Sequence, residues 1–168
     1  RRQAYWAILC GAFGHIFGNS PIWLFGKGWK EAIEAPGSTG MMHWGRLFRS
    51  RKWYDLVPDQ KHEVVTAGSG EFFGLDYLSA ARTTDGSTVI AYMPTSRTIT
   101  VDLSKVDGSK VNAWWYNPSN GEATSAGEYP TKRSRKFVPK RDGDWVIVLD
   151  DASKDLPPPG KENVWNMI

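Results

Sequence analysis

The side chains best suited to chemistry in this 168-residue sequence are carboxylates that lie in irregular segments. They are Asp55, Asp59, Glu63, Glu71 and Asp76. Two carboxyl groups held about 5–10 Å apart can act as a general acid and as a base or nucleophile. Spacing along the chain does not assign such a pair, so the catalytic residues stay unknown, with Glu71, Asp55 and Asp59 as candidates. For Glu71 the alternative is a linker loop, because the residue lies between glycines and phenylalanines.

Other kinds of catalytic site find no support in the sequence. His15, His43 and His62 are far apart and form no HxxxH or HxH pair, so we expect no metal site. Ser69 lies in Gly-Ser-Gly, whereas a nucleophile elbow needs Gly-x-Ser-x-Gly. No glycine-rich phosphate loop is present, and we expect no cofactor.

Composition limits the classes of partner. The net charge of +3 is too weak to indicate nucleic acid, and the one basic run, at 132–136, reads as a solvated loop. No stretch approaches the roughly 18 apolar residues of a membrane helix. The only cysteine, Cys10, excludes internal disulfides and is expected in the core. Nine Trp residues suit either a ligand with flat faces, such as a sugar, or a Trp-rich core.

The first 60 residues carry helical periods. Residues 1–13 predict a helix whose apolar face needs cover on most sides, and much of that cover is expected from outside this chain. Residues 14–18, bracketed by glycines, predict a buried strand, and 19–37 an irregular loop. Ser38 is the expected N-cap of a second helix. This order of elements is that of the closing segment of a βα-barrel.

The second half predicts seven or eight short antiparallel strands. They fall at 63–66, 77–83, 87–93, 98–103, 111–117, 135–138 and 144–150. Asp85-Gly86 indicates a hairpin, and the spacing of roughly 8–12 residues favours a β-sandwich. Residues from 156 onward, with three consecutive prolines, predict a tail.

One strand carries three adjacent aromatic residues. Because neighbours on a strand point to opposite faces, Trp115 is expected in the core with Val111 and Ala113, as is Trp145 in the last strand. Trp114 and Tyr116 share the other face. That face is either an open platform for a sugar chain or an interface with the helical half, and we favour the interface.

These residues resemble a known family. The run AYWAILCGAFGHIFGNSPIW at 4–23 is similar to the last third of the catalytic barrel in apiosidase-like glycoside hydrolases, although Ile16 and Phe17 replace the usual Thr and Tyr. The segment 40–59 looks like the final helix and exit of that barrel. Residues 81–123 and 143–151 resemble the attached C-terminal domain, often labelled a collagen-binding domain of a collagenase. Nothing in these residues indicates recognition of a collagen triple helix.

The resemblance implies an α+β fold: a helical remnant of the end of a (β/α)8 barrel followed by an antiparallel β-sandwich. We expect residues 1–62 to form the barrel segment, 63–152 the sandwich and 153–168 a tail. His15, at the end of the predicted last barrel strand, would face a sugar pocket, and Asn19 and Trp23 would help to wall it. For His15 the alternative is a role in packing the loop.

The function implied is part of a glycoside hydrolase that acts on plant cell-wall-type polysaccharide outside the cell or in the periplasm. The two catalytic carboxylates are expected on earlier barrel strands, upstream of this chain. The alternatives are a stand-alone carbohydrate-binding module, with Trp114 and Tyr116 as its platform, and a small glycosidase that assembles its site within or across a dimer. We expect carbohydrate as the partner, no nucleic acid and no membrane, and an exposed helical segment that could drive self-association.

Overall fold

A computed structural model describes residues 1–161 and shows an α+β protein that is mostly antiparallel sheet. Its helices are α1 (Arg2–Leu9), α2 (Ser20–Trp23), α3 (Trp29–Ala32) and α4 (Pro36–Arg49). Its strands are β1 (Leu56–Pro58), β2 (Val65–Ala67), β3 (Ser79–Thr83), β4 (Thr88–Met93), β5 (Ile99–Asp102), β6 (Lys110–Asn117), β7 (Glu122–Pro130), β8 (Ser134–Phe137) and β9 (Trp145–Asp151). Short 3-10 turns lie at Trp53–Asp55, Leu103–Lys105 and Ala152–Lys154. In this part of the chain, no helix has the length and apolar character needed to cross a membrane.

The strands form two antiparallel sheets that share one apolar core. Six strands pair in the order β1-β3-β4-β9-β6-β7, and three pair in the order β2-β5-β8. Val89, Val101, Trp115, Phe137 and Leu149 belong to the core between the sheets. The expected core positions of Trp115 and Trp145 are therefore confirmed.

Helices α1 and α4 cover the outer face of the six-stranded sheet. The Tyr5 ring of α1 stacks on Tyr92 of β4, with ring centroids 4.4 Å apart and planes 6° from parallel. Leu47 and Phe48 of α4 join the same cluster. The central strands thus bury both faces, which explains their nearly continuous apolar sequences. The expectation that α1 needs cover from outside this chain is wrong, because the sheet of this chain buries Tyr5, Ile8 and Leu9.

Three expectations for the segment after α1 are also wrong. The helix ends at Leu9, and Gly11 in the left-handed region (φ 99°) leads the chain out of it. Cys10 is exposed rather than in the core. Residues 14–18 form no strand, and Ile16 is 94% exposed. A strand needs a hydrogen-bonded neighbour, and none of the described strands pairs with this segment.

The boundaries of α4 and the strand count differ from expectation. Helix α4 begins at Pro36, where the fixed φ of proline suits the first helical position, so Ser38 lies inside the helix and Ala35 is the N-cap. The strands β1 and β7 were not predicted. Strand β1 pairs with β3, although β1 lies before residue 63, where the sandwich was expected to begin. The division of the chain into domains stays a prediction.

The chain after β9 is fastened to the end of α4. The Arg51 Nη2 donates to the Pro157 carbonyl at 2.9 Å, and the Gly160 amide donates to Ser50 Oγ at 3.0 Å. Pro159 is buried. This part of the predicted tail is therefore packed, whereas the expected tail residues 162–168 lie outside the described residues.

Three buried tyrosines make the fold sensitive to alkali. Burial raises the pKa of the Tyr5, Tyr92 and Tyr116 hydroxyls above the ordinary value. The unfolded chain therefore loses these protons first, and the free energy of unfolding should fall as pH rises above about 10. We expect the midpoint of thermal unfolding to drop between about pH 9 and about pH 11, and to drop less in Tyr5→Phe. An unchanged midpoint over that range would contradict the burial of these hydroxyls.

Candidate functional site

An apolar groove brings together two of the residues predicted to wall a sugar pocket. The cavity has a volume of about 410 Å³ and lies between the loop after α1 and the start of α4. Asn19 and Trp23 line it, together with Phe17, Ile33 and Met42. None of its lining side chains carries a charge, so a ligand would be held by ring contact and neutral hydrogen bonds.

Asn19 ties together the walls of this groove. Its Nδ2 lies 3.3 Å from the carbonyl of Ala32, at the end of α3, and 3.3 Å from Ser38 Oγ, in the first turn of α4. The Ser38 hydroxyl itself donates to the Ala32 carbonyl at 2.9 Å. The side chain of Asn19 thus holds α3 against α4 and fixes the shape of the groove.

Two aromatic rings, those of Trp23 and Phe17, line this groove. Trp23, the last residue of α2, is 66% exposed. The Phe17 ring lies over Gly37 so closely that a Cβ there would come within 2.9 Å of Phe17 Cζ. Glycine at 37 therefore lets the ring rest on the first turn of α4. Sequence patterns did not indicate Phe17, Ile33 or Met42 as site residues, because their positions relative to Asn19 depend on how the loop folds back.

His15 does not join this groove. Its ring lies edge-on to Trp44 of α4, with centroids 6.2 Å apart, and it is half-buried. Trp44 in turn contacts Phe48 at 5.3 Å between ring centroids. This placement agrees with the alternative of a packing role. The role of His15 in binding stays a prediction.

The candidate carboxylates occupy separate local networks. Asp55 accepts the Thr84 hydroxyl at 2.7 and 2.8 Å. Asp59 accepts the backbone amides of Glu63, Val64 and Val65 at 2.8–3.1 Å. Both carboxylates thus close loops, which is a structural task. Glu71 is exposed beside the rings of Phe72 and Phe73, which contact each other at an angle of 54°. Nothing here assigns a catalytic role to any of the three.

The aromatic face of β6 packs against the helices. Tyr116 is fully buried, and its hydroxyl donates to the His43 carbonyl of α4 at 2.8 Å. Trp114 is partly buried against the same cluster. In this arrangement the Tyr116 ring is closed to a ligand, as the interface alternative requires. Among residues 1–161, no group of His, Cys, Asp and Glu side chains is arranged to hold a metal ion.

Comparisons with known proteins divide the chain in two. Residues 1–55 match a family described as "Apiosidase-like, catalytic domain", and residues 57–150 match one described as "Putative collagen-binding domain of a collagenase". None of the curated proteins matches the chain.

Two solved structures are similar over nearly all of the chain. One, titled "Glycoside hydrolase", shares 31% identity and a TM-score of 0.82 over 94% of this chain. The other, a glycoside hydrolase family 5 protein from Bacteroides vulgatus ATCC 8482, shares 28% identity and a TM-score of 0.80 over 98% of it. This chain covers 37% of each of those proteins.

The second family match spans more than half of the sequence and includes strands from both sheets, and the first spans the helical layer. The order of the two matches is the one that the resemblance implied. The chain therefore belongs to the family described as "Putative collagen-binding domain of a collagenase", here preceded by a segment that matches the "Apiosidase-like, catalytic domain" family.

Proposed function

We propose that this chain serves as the C-terminal part of a glycoside hydrolase that acts on plant cell-wall-type polysaccharide. In this proposal the helical layer is the end of a (β/α)8 barrel, and the sandwich braces it. The catalytic carboxylates lie on barrel strands that this chain does not contain. Since plant cell-wall polysaccharides are too large to enter the cytoplasm intact, the enzyme would work outside the cell or in the periplasm.

One observation carries the proposal: the groove that holds Asn19 and Trp23 lies in the segment that matches a glycosidase catalytic domain. An exposed indole beside a second ring suits the apolar face of a sugar. The loop after α1 forms one side of the groove, and barrel enzymes build their ligand sites from loops. Asn19 acts here as a positioning residue, because its amide fixes the two walls.

The same segment exposes many large apolar side chains. Phe13, Ile16, Leu24 and Phe25 are each more than 60% exposed; the first two lie on the loop after α1 and the other two directly after α2. Exposed apolar clusters mark surfaces that contact other protein or ligands. In the proposed enzyme these side chains would meet the rest of the barrel. Self-association of the isolated chain through this surface stays a prediction.

Specific contacts in the structure argue against the two alternative functions. A stand-alone binding module built on Trp114 and Tyr116 would need an open face, but the helices cover that face. A small glycosidase built on Glu71, Asp55 or Asp59 would need two free carboxylates, but Asp55 and Asp59 both accept structural hydrogen bonds, which leaves Glu71 without a partner among these candidates. We therefore propose sugar binding in the groove without hydrolysis by this chain alone.

The groove can be tested by affinity electrophoresis in gels that contain neutral soluble plant polysaccharides. We expect the chain to be retarded, and Trp23→Ala to lower the affinity about tenfold, since a lost ring contact costs about 1.4 kcal/mol. Phe25→Ala is the matched control: Phe25 is 74% exposed on the same surface but does not line the groove. We also expect no turnover of aryl glycosides.

Two outcomes would contradict the proposal. Equal retardation of the parent chain, Trp23→Ala and Phe25→Ala would show that the groove does not bind the polymer. Turnover by the purified chain that survives Trp23→Ala would show that hydrolysis needs neither the groove nor upstream residues.

A further inference from the structure

A second cavity, on the opposite end of α4, has a different character. It has a volume of about 340 Å³, within the range of small-ligand sites. Arg49, Lys52, Lys154 and Lys161 line it, and Tyr54 presents a ring that is 67% exposed. None of the lining residues is acidic. The sequence did not indicate this cavity, because its cations are scattered between positions 49 and 161.

The cations in this cavity are only partly compensated. Arg51, at its base, is matched by the buried Asp150, with Nη2 and Oδ2 2.8 Å apart. Lys52 pairs with Asp85 at 3.0 Å, with more than a third of each side chain exposed. Among residues 1–161, neither Lys154 nor Lys161 forms an ion pair. The cavity therefore carries excess positive charge, although the whole chain has a net charge of only +3.

Hydrogen bonds hold the walls of the cavity in place. Arg51 and Ser50 hold Pro157 and Gly160 by hydrogen bonds of 2.9 and 3.0 Å. Lys154 ends a 3-10 turn that Asp151 caps by accepting the amide and the hydroxyl of Ser153. Charged groups on elements that are already ordered bind a ligand at a lower entropic cost.

We propose that this cavity binds the acidic groups of an anionic polysaccharide, carboxylate or sulfate ester, with Lys154 and Lys161 contacting the charge and the Tyr54 ring contacting the sugar. The inference rests on the proposed carbohydrate function, because charge alone does not distinguish an acidic sugar chain from another polyanion. The exposed ring within a cavity, rather than a flat basic surface, favours a sugar.

The test measures affinity by gel retardation in polygalacturonate, in dextran sulfate and in uncharged dextran. We expect retardation in at least one acidic polymer and none in dextran. Retardation in polygalacturonate assigns the carboxylate as the ligand group, and retardation in dextran sulfate alone assigns the sulfate ester. The double variant Lys154→Gln/Lys161→Gln should lower the affinity about tenfold, and Tyr54→Ala about threefold.

The control removes the same charge elsewhere. Lys132→Gln/Lys136→Gln alters two exposed lysines on and before β8, outside the cavity, and should change the affinity less than about twofold. Equal losses in both double variants would reveal nonspecific attraction and overturn the inference. So would equal affinity for a single-stranded oligonucleotide with the same dependence on Lys154 and Lys161.

The two proposals fail in different ways. If Trp23→Ala does not weaken binding to the neutral polysaccharides, only the proposal for the apolar groove fails. If Lys154→Gln/Lys161→Gln does not weaken binding to the acidic polymers, only the proposal for the basic cavity fails. The absence of retardation in every acidic polymer, with neutral binding intact, would reject the basic cavity and leave the proposed function standing.

Discussion

Replacing Arg51 with methionine is expected to lower the free energy of unfolding by about 3–5 kcal/mol. The guanidinium donates from Nε and Nη2 to the two carboxylate oxygens of Asp150, at 2.9 and 2.8 Å. The two side chains are only 1% and 2% exposed. The substitution would leave the Asp150 charge buried with the Thr88 hydroxyl, at 2.8 Å, as its remaining side-chain partner. It would also release the Pro157 carbonyl.

Urea unfolding followed by circular dichroism checks this prediction, and two further variants sharpen it. The double variant Arg51→Met/Asp150→Asn should recover part of the loss, because the buried charge is removed with its partner. Lys52→Met is the matched control, since it breaks an exposed pair with Asp85 and should cost less than about 1 kcal/mol. An Arg51→Met protein as stable as the parent would show that the pair does not form in solution.

Truncating Tyr5 to alanine should destabilise the fold by about 3–5 kcal/mol, whereas Tyr5→Phe should leave stability nearly unchanged. The ring is fully buried between α1 and the sheet and stacks on Tyr92. Its hydroxyl is buried and has no hydrogen-bond partner among the described residues. The alanine variant therefore loses the ring and leaves a cavity, but the phenylalanine variant loses only an unpaired polar atom.

The same urea titrations separate these effects. Phe13→Ala provides the surface control, because that ring is 95% exposed and its removal should change stability by less than about 0.5 kcal/mol. If Tyr5→Ala were as stable as Phe13→Ala, α1 would not be packed on the sheet. A clear loss in Tyr5→Phe would instead show that the hydroxyl has a partner in solution.

Local sequence patterns predicted the strands best where buried and more exposed residues alternate along the strand. The alternation in β5 and the Asp85-Gly86 turn indicated their elements directly, and Gly86 does adopt a positive φ of 66°. Strand β7 escaped notice because its residues, EATSAGEYP, have little apolar alternation. It is an edge strand held by β6 alone, with a bulge near Ala113, so tertiary pairing rather than local preference determines it.

Sites were harder to predict than strands because they depend on how loops fold. Asn19 and Trp23 lie four residues apart and do line one groove, but His15, from the same motif, turns toward Trp44. The expected strand at 14–18 would have fixed the direction of His15, and that strand is absent from the described structure. The basic cavity gathers residues more than 100 positions apart, which no local pattern can reveal.

The position of β9 has a consequence for the order in which the protein is made. This last strand lies in the middle of the large sheet, between β4 and β6, and supplies both Asp150 and part of the surface under α1. A ribosome delivers it after the other eight strands that the structure describes. Until it emerges, β4 and β6 have open edges and the helices lack their support, so the nascent chain must keep these apolar surfaces from aggregating. Contacts this distant in sequence also favour slow folding.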